Sequence, residues 1–496
     1  MNESYANTSN FSFFSRAQRQ LDTMISKLEA IGTQEHGLTE EYIRSAGDEL
    51  LRLLLQGHLD KLAHDENRFT SVSTADGLPR NHVRQGTTRT LVSLFGPVTV
   101  TRLSYSQRQA RSLFPLDAQL NLHVDQYSDG VRRRIVRDVI DRSYDQAIEH
   151  HKENCSGLIG KRQAIKLTEQ VASDFVDFYE RRTVSDEQTG DLLVLSFDGK
   201  GVVMRPDGLR ECTQKSAKES KKKLQTRLSP GEKKDRKRMA QVAAIYTVHP
   251  NPRTAESIMN LDQQENVVKF RPPIRNKRVF ASLERTPEQV ISEAFDEAIK
   301  RDPEYKRRWV ILLDGHPHQL TLVKQVMKQK KVKATIVMDF IHVLEYLWKA
   351  AYCLHEKGSE AAESWVQERA LRVLRGQAAG VARGIRQSAS KRKLEKREAI
   401  DKCAGYLCKN KSRLCYDEAL SEGLPIASGV IEGACRHLIN DRMDVTGARW
   451  SLKGGEAILK LRSIRSSGDW DEYWKYHLSR SEYRNYGELL INKAAS

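Results

Sequence analysis

The sequence predicts an α/β core, with a mixed sheet flanked by helices, that carries an all-helical insertion and follows a mainly helical N-terminal region. Short apolar runs alternate with helical segments from about residue 190 to residue 340, which is the pattern of an α/β domain. The stretch 342–422 is helical in character throughout. Before the core, residues 17–64 and 128–181 carry apolar side chains at helical spacing.

Four apolar runs are the predicted strands of the core, at residues 192–197, 242–248, 309–313 and 334–338. The first strand is expected to end at Asp198-Gly199, and residues 201–204 to return as a hairpin. Thr286 is the predicted cap of a helix that ends near Lys300, and another helix follows at 319–330.

The remaining elements are predicted from caps and turns. Ser428 is expected to cap a helix from Gly429 to about Asn440, after Gly-Leu-Pro at 423–425 ends the helical insertion. The β-branched stretch 90–101, broken by Gly-Pro, predicts a hairpin. Ser143 is the predicted cap of a helix at 144–153. This helix and a second one at 161–180, joined by a glycine-containing turn, have the outline of a helix-turn-helix, although any helical hairpin gives the same pattern.

These patterns divide the chain into six regions. They are an N-terminal helical region with a β-hairpin (1–125), a helix-turn-helix-like segment that is a candidate for DNA binding (126–185), the first part of the α/β core (186–345), the helical insertion (346–424), the second part of the core (425–480) and a C-terminal tail (481–496).

Composition excludes several classes of protein. The chain has 496 residues, of which 39% are hydrophobic and 30% charged, and no apolar run approaches the length of a membrane span. The polar start lacks the layout of a signal peptide. The seven cysteines form no C-x-x-C motif, which disfavours a disulfide framework or a zinc finger and favours a reducing cytoplasm.

The net charge of +17 is concentrated in two windows. Residues 214–238 and 372–397 each carry a net +8, which favours a polyanion such as nucleic acid as partner; two solvated basic loops are the alternative. The candidate DNA-binding residues in and near these windows are Lys200, Lys221, Lys222, Lys223, Lys233, Lys234, Arg236, Lys237, Arg238, Arg383, Arg386, Lys391, Arg392, Arg436, Arg449 and Trp450, the last for stacking on a base unless it packs in the core.

Three carboxylates are candidates for a catalytic metal site. Asp198 and Asp314 each follow an apolar strand and precede a glycine, where ligands of α/β sheets collect; a simple Asp-Gly turn is the alternative. Glu432 cannot complete a capping box from Ser428, because the required position 431 is Ile; pairing with Arg436 is another interpretation. Carboxylate oxygens suit Mg²⁺, and two such ions can promote phosphodiester displacement.

A zinc hydrolase is the rival chemistry. His316, His318 and His342 lie near Asp314 and Asp339, but no H-E-x-x-H or other matched ligand spacing occurs. The sequence also lacks a phosphate-binding G-x-x-x-x-G-K-[ST] loop, so a nucleotide-fuelled reaction is not predicted.

Four stretches resemble the bacterial insertion-sequence transposases of the ISKra-type group, within the broader DDE class. They are residues 195–202 (LSFDGKGV), 311–317 (ILLDGHP), 427–438 (ASGVIEGACRHL) and 441–451 (DRMDVTGARWS). The similarity extends over roughly 191–260, 309–345 and 425–478, about a third of the chain, and the last two stretches together form its longest and most specific block.

The resemblance implies an RNase H-like catalytic core in which Asp198, Asp314 and Glu432 are both the catalytic and the metal-binding triad. It also implies two Mg²⁺ ions, for which Mn²⁺ can substitute. Asp339 and His342 resemble the (C/D)-x-x-H motif of many relatives, which implies support for the active site.

The function implied is that of a DNA transposase that binds terminal inverted repeats, cleaves DNA and transfers the strand to a target. It would bind transposon ends and target DNA as a homo-oligomer, at least a dimer, in the bacterial cytoplasm and nucleoid, and not at a membrane. The alternatives are a nuclease on the same fold that cuts without joining, and an inactive DNA-binding regulator derived from a transposase.

Overall fold

The computed structural model describes residues 12–184, 190–219, 236–260, 272–395, 397–445 and 447–492. Its first elements are α1 (Ser15–Ala30), α2 (His36–His64), β1 (Ser71–Ser73), β2 (His82–Ser93), β3 (Gly96–Ser106), α3 (Pro115–Gln119), α4 (Asp129–Asp141), α5 (Tyr144–Asn154) and α6 (Lys161–Val171).

The elements of the core follow in the order α7 (Phe175–Arg181), β4 (Leu192–Val203), α8 (Glu211–Glu219), β5 (Lys237–Val248), α9 (Ala255–Ile258), β6 (Arg275–Ser282), α10 (Pro287–Arg301), β7 (Trp309–Leu313), α11 (Pro317–Gln329) and β8 (Thr335–Met338). The last group is α12 (Phe340–Ala351), α13 (Glu360–Leu374), α14 (Ala378–Lys391), α15 (Glu398–Lys409), α16 (Tyr416–Ser421), α17 (Gly429–Ala434), α18 (Asp441–Met443), α19 (Leu452–Ser467), α20 (Trp470–Tyr486) and β9 (Leu490–Asn492).

The chain divides into two compact units. One consists of residues 1–174 and 471–496, and the other of residues 175–470. Helix α20 therefore belongs mainly to the N-terminal unit, whereas the sequence analysis assigned residues up to 480 to the core. The reason is specific polar contact within that unit: the Tyr473 hydroxyl donates to the Val171 carbonyl, and His477 Nδ1 lies 2.6 Å from an Asp174 carboxylate oxygen.

The N-terminal unit contains the predicted hairpin in extended form. Strands β2 and β3 pair antiparallel. The pairing begins with His82 opposite Ser106 and ends at the turn, with Ser93 opposite Gly96. Helix α2 lies against β3, where Leu59 joins a small buried cluster with Leu91 and Val98. The cap of α5 is confirmed: Ser143 accepts a hydrogen bond from the Gln146 N–H. The predicted helix 161–180 is interrupted by a 3₁₀ turn at Ala172–Asp174.

The second unit is built on a five-stranded sheet with the order β6-β5-β4-β7-β8. Strands β6, β5 and β4 pair antiparallel, whereas β4, β7 and β8 run parallel. Phe197 of β4 stacks on Phe295 of α10, with ring centroids 6.4 Å apart, and the next residue, Asp198, contacts Cys435 just after α17. Successive side chains of a strand point to opposite faces of the sheet, so Phe197 and Asp198 contact helical segments on opposite sides. Helices therefore cover both faces of this sheet. The mixed α/β class is confirmed.

Three local features of the core differ from what the sequence predicts. Strand β4 does not turn back at Asp198-Gly199, because all twelve of its residues pair with β5. Strand β6 was missed, since three of its first four residues are charged and the other is Asn. The helix after Ser428 keeps α-helical bonding only to Ala434 and continues as a π-helical turn, Cys435–Asn440.

Candidate functional site

Asp198 and Asp314 lie side by side in the sheet, because the strands β4 and β7 are parallel neighbours. The register pairs Leu195 with Ile311 and Ser196 with Leu312. Two residues beyond that last pair lie Asp198 on β4 and Asp314 after β7. Both carboxylates line one cleft of about 360 Å³. The structure thus joins two side chains that are 116 positions apart in the sequence.

Asp198 is oriented by two donors. Its Oδ1 accepts the N–H of Gly199 at 2.6 Å, and its Oδ2 accepts the thiol of Cys435 at 3.1 Å. Burial, reinforced by the charge of Asp198, raises the pKa of the Cys435 thiol far above its usual range. The thiol therefore stays protonated and remains a hydrogen-bond donor to the carboxylate.

Asp314 lies in a turn that requires glycine at the next position. Its Oδ1 accepts the N–H of His316 at 2.8 Å, while the hydroxyl of Tyr406 donates to its carbonyl at 3.0 Å. Gly315 has φ +90°, and a Cβ there would lie 2.8 Å from the Tyr406 ring. Tyr406 belongs to α15, so the helical insertion contributes directly to this turn.

Glu432 of α17 shares the electrostatic field of the other acids. Although the side chain is exposed, partial desolvation raises its pKa above the usual value, and the negative charges of Asp339, Glu345 and Asp198 act in the same direction. His342 opposes them. A group of carboxylates that disfavour each other's ionisation is an environment that favours a cation.

Asp339 is a buried anchor between two helices. It caps α12 by accepting the N–H of Ile341 at 2.8 Å. Its other carboxylate oxygen accepts both the N–H of Ser428, at 3.2 Å, and the Ser428 hydroxyl. Ser428 consequently does not cap α17 with its side chain, which corrects the prediction. The contact connects the start of α12 to the start of the helix that carries Glu432.

His342 lies near two acids of the site, Asp314 and Glu345. Its Nε2 is 3.8 Å from an oxygen of Asp314, and its Nδ1 is 3.9 Å from an oxygen of Glu345. Both separations exceed hydrogen-bond length, and within the described ranges the buried Nδ1 has no hydrogen-bond partner. The ring thus lies near the second aspartate, and its charge also acts on Glu432.

The donor chemistry of the cluster fits Mg²⁺ better than Zn²⁺. Asp198, Asp314 and Glu432 offer hard carboxylate oxygens, which Mg²⁺ prefers. Across the described ranges, however, no three His, Cys, Asp or Glu side chains lie close enough together to hold a metal ion. His316 and His318 line the same cleft as the two aspartates. The side chains that Mg²⁺ prefers are therefore present. In this conformation, however, the three carboxylates do not lie close enough together to bind one ion.

The basic candidates fall into distinct groups. Exposed side chains, available to a phosphate, are those of Lys200, Arg383, Arg386, Lys391, Arg392, Arg436 and Arg449. Lys237 and Arg238 are half-buried, and Arg238 donates to the carbonyls of Leu283 and Gly208, at 2.6 and 3.1 Å. Lys221, Lys222, Lys223, Lys233 and Lys234 lie outside the described residues.

Two DNA-binding candidates are corrected by their burial. Arg236 is only 6% exposed and donates to the Ala217 carbonyl at 2.8 Å. Trp450 is 7% exposed, its indole N–H donates to the Met443 carbonyl at 3.1 Å, and its ring lies under the guanidinium of Arg442. Neither side chain is presented to a phosphate or a base, and both stabilise the core.

Three residues around the site were missed by the sequence analysis: Cys435, Tyr406 and Glu345. Cys435 lies three positions after Glu432, a helical spacing that places both side chains on one face, and this was an available signal. Tyr406 carried no local signal, because its contact with Asp314 depends on how the insertion folds back.

Comparison of the chain with models of known protein families and with curated proteins finds no match in either case. Among the described residues, no helix combines the length and apolar character needed to cross a lipid bilayer.

Proposed function

We propose that this chain is a DNA transposase of the DDE class, which binds terminal inverted repeats, cleaves DNA at the transposon end and transfers the strand to a target. The observation that carries the proposal is that Asp198 and Asp314 lie side by side at the ends of the paired segments of two adjacent parallel strands. Phosphoryl-transfer sites need neighbouring carboxylates of this kind to hold metal ions. The resemblance of the motifs around both aspartates and Glu432 supports the same class.

The sheet supports an RNase H-like core as part of this proposal. In chain order its strands lie as third, second, first, fourth and fifth, with only the second strand reversed. Asp198 is on the first strand, Asp314 follows the fourth, and Glu432 comes after the helical insertion. This order matches the one expected for the proposed class.

Asp198, Asp314 and Glu432 would hold two Mg²⁺ ions, for which Mn²⁺ is expected to substitute. When bound, the ions would activate a water or a 3′-OH and stabilise the leaving oxygen. The protein's own groups orient the ligands: Cys435 and the Gly199 N–H fix the Asp198 carboxylate, and Asp339 fixes the base of α17. The proposal requires Glu432 to close on the aspartate pair when DNA and metal bind.

Exposed basic side chains near the carboxylates would bind DNA phosphates, which makes affinity strongly salt-dependent. Lys200 lies two residues beyond Asp198 on β4, and its charge acts on Cys435. Arg436 and Arg449 are exposed on either side of α18. Because two transposon ends must be held together, the working form is proposed to be a homo-oligomer, at least a dimer.

The test uses the full chain and a plasmid that carries its gene with the native flanking DNA. Asp198→Asn, Asp314→Asn and Glu432→Gln should each lower Mg²⁺-dependent cleavage by about 100-fold or more, because several kcal/mol of transition-state stabilisation are lost. Glu363→Gln, which alters an exposed acid of α13, is the matched control and should cleave normally. Cleavage at the wild-type rate by the three site variants would refute the assignment.

Two further readouts separate the alternatives. Joined products in a strand-transfer assay are expected for a transposase, whereas cutting without joining would indicate a nuclease on the same fold. A regulator would bind the flanking DNA equally well with and without Mg²⁺ and would leave it uncut, and that result would replace the proposal.

A further inference from the structure

The unit formed by residues 1–174 and 471–496 contains an arginine-lined cleft of about 770 Å³. Its lining combines strands β2 and β3, the loop after β3 and the C-terminal part of α20. Six arginines face the cleft, namely Arg80, Arg89, Arg102, Arg111, Arg480 and Arg484, against three acids, Asp76, Asp117 and Glu488. The lining therefore has a net positive charge, which attracts an anion.

The wall of the cleft is built from two arginines that share one carboxylate. Arg89 of β2 and Arg102 of β3 lie 3.2 and 2.8 Å from the oxygens of Asp117. The ring of Phe114 lies 4.1 Å from the Arg102 guanidinium carbon and supports it. The ion pair with one carboxylate leaves positive charge on this wall, and the charge of Glu66 also acts on Arg102.

Arg111 adds a guanidinium that forms no ion pair with any acid in the described part of the chain. It lies in the loop that follows β3, which is closed by the reciprocal hydrogen bonds of Tyr105 and Leu113, at 2.9 and 2.8 Å. The Arg111 side chain is exposed and makes no hydrogen bond or ion pair with any residue that the structure describes. By contrast, Arg80 is held by Asp76, and Arg484 by Asp174.

The rim of the cleft favours a nucleic-acid strand over a small free anion. Leu78, Val124 and Tyr483 line it and are 49%, 64% and 65% exposed. The Arg480 guanidinium lies over the Tyr483 ring at 5.5 Å. An inorganic anion needs only the guanidinium groups, whereas a nucleotide strand also offers sugar and base faces to aromatic and apolar side chains.

We infer that this cleft binds the phosphodiester backbone of DNA, with Arg111 as a direct phosphate ligand and Arg89 and Arg102 as the fixed positive wall. The inference rests on the proposed function, in that the chain must bind DNA, and it assigns part of that binding to the unit without the carboxylate cluster. Helix α20, from the far end of the chain, completes the site.

The test compares Arg111→Ala with Arg108→Ala, a matched substitution of an exposed arginine in the same loop that does not line the cleft. Binding of the full chain to a short labelled duplex of the native flanking DNA is measured over a series of salt concentrations. Arg111→Ala should weaken binding about fivefold and reduce the slope of log affinity against log salt by about 1. Arg108→Ala should change neither quantity. Unchanged thermal unfolding confirms that both variants are folded.

Equal affinity and equal salt slope for Arg111→Ala and the wild type would overturn the inference. So would a loss of inorganic phosphate binding without a loss of DNA binding, which would indicate a free-anion site. These failures differ from failure of the proposed function: a chain that binds and cuts DNA normally after Arg111→Ala contradicts only the cleft assignment, whereas a wild-type chain that binds no DNA contradicts the function.

Discussion

The buried carboxylate of Asp339 accepts hydrogen bonds from both the backbone N–H and the hydroxyl of Ser428, which lies 89 residues further along the chain. Asp339 also caps α12, and Phe340 donates its N–H to the Ile426 carbonyl at 2.8 Å. The end of β8, the start of α12 and the start of α17 are thereby joined at one point. These hydrogen bonds fix the start of α17 and therefore the position of Glu432 relative to Asp198 and Asp314.

Ser428→Ala should lower the free energy of unfolding by about 1–3 kcal/mol, because a buried carboxylate loses a hydroxyl donor. Chemical denaturation measures this loss. DNA cleavage should fall more than DNA affinity does, since the change displaces α17 with Glu432, whereas most of the exposed basic candidates lie on other elements. Ser421→Ala is the control: that hydroxyl donates to the Glu418 carbonyl at an exposed site, and its loss should cost no more than about 0.5 kcal/mol. Equal costs for the two variants would contradict the anchoring role.

Gly315→Ala should destabilise the protein more than Gly358→Ala. Both glycines have positive φ, +90° and +78°, so alanine strains the backbone at each, by about 1–2 kcal/mol. Only at Gly315 would the new Cβ also meet the Tyr406 ring, and crowding of this kind costs about 1–3 kcal/mol more. Denaturation midpoints of the two variants measure the difference.

Adding Tyr406→Ala to Gly315→Ala should relieve the crowding, so the two substitutions should cost less together than the sum of their separate costs. Strict additivity would show that Tyr406 does not pack on the Asp314 turn.

Cys435 should resist alkylation in the native protein at mildly alkaline pH, whereas the exposed Cys212 and Cys408 should react. The thiolate is the reactive form, and burial next to Asp198 raises the pKa of Cys435, so the thiolate is scarce there. Mass spectrometry after a timed iodoacetamide pulse locates the modified residues.

Asp198→Ala removes the charge that reinforces the effect of burial, and it should therefore speed alkylation of Cys435. Native Cys435 reacting as fast as Cys408 would rule out the thiol-to-carboxylate hydrogen bond.

The stability of the N-terminal unit should decrease on mild acidification because of His151. This ring is fully buried, its Nε2 is hydrogen-bonded to the Gly157 carbonyl at 2.9 Å, and its Nδ1 has no hydrogen-bond partner among the described residues. Burial lowers the pKa of His151 below its usual value of 6.5, although the Gly157 carbonyl and Asp138 act in the opposite direction. The unfolded chain therefore takes up the proton first, so the stabilisation is complete above pH 6.5 and is lost as the pH falls.

Melting temperatures measured from about pH 8 to about pH 5 test this behaviour. His151→Gln should give a flatter profile than the wild type. His58→Gln, which changes an exposed histidine of α2, should leave the profile unchanged. A parallel fall in all three proteins would assign the pH dependence to other groups.

Local signals predicted much of the fold. The strand 309–313 was predicted residue for residue, because a buried strand of a parallel sheet is a continuous apolar run. Thr286 and Ser143 cap their helices as expected, since capping depends on residues within one turn. Strand β6 was not predicted because its charged residues hide the apolar pattern of a strand. It forms by pairing with β5, which is a contact between distant parts of the chain.

The sequence by itself determined the local elements, the positive charge and the three carboxylates worth testing, since each of these follows from neighbouring residues along the chain. Only the tertiary structure decided which side chains meet. The parallel register of β4 and β7 places Asp198 beside Asp314, and packing of the insertion brings Tyr406 to the Asp314 turn. The tertiary structure also buries Trp450 and Arg236, because the exposure of a side chain depends on contacts across the fold and not on residue type alone.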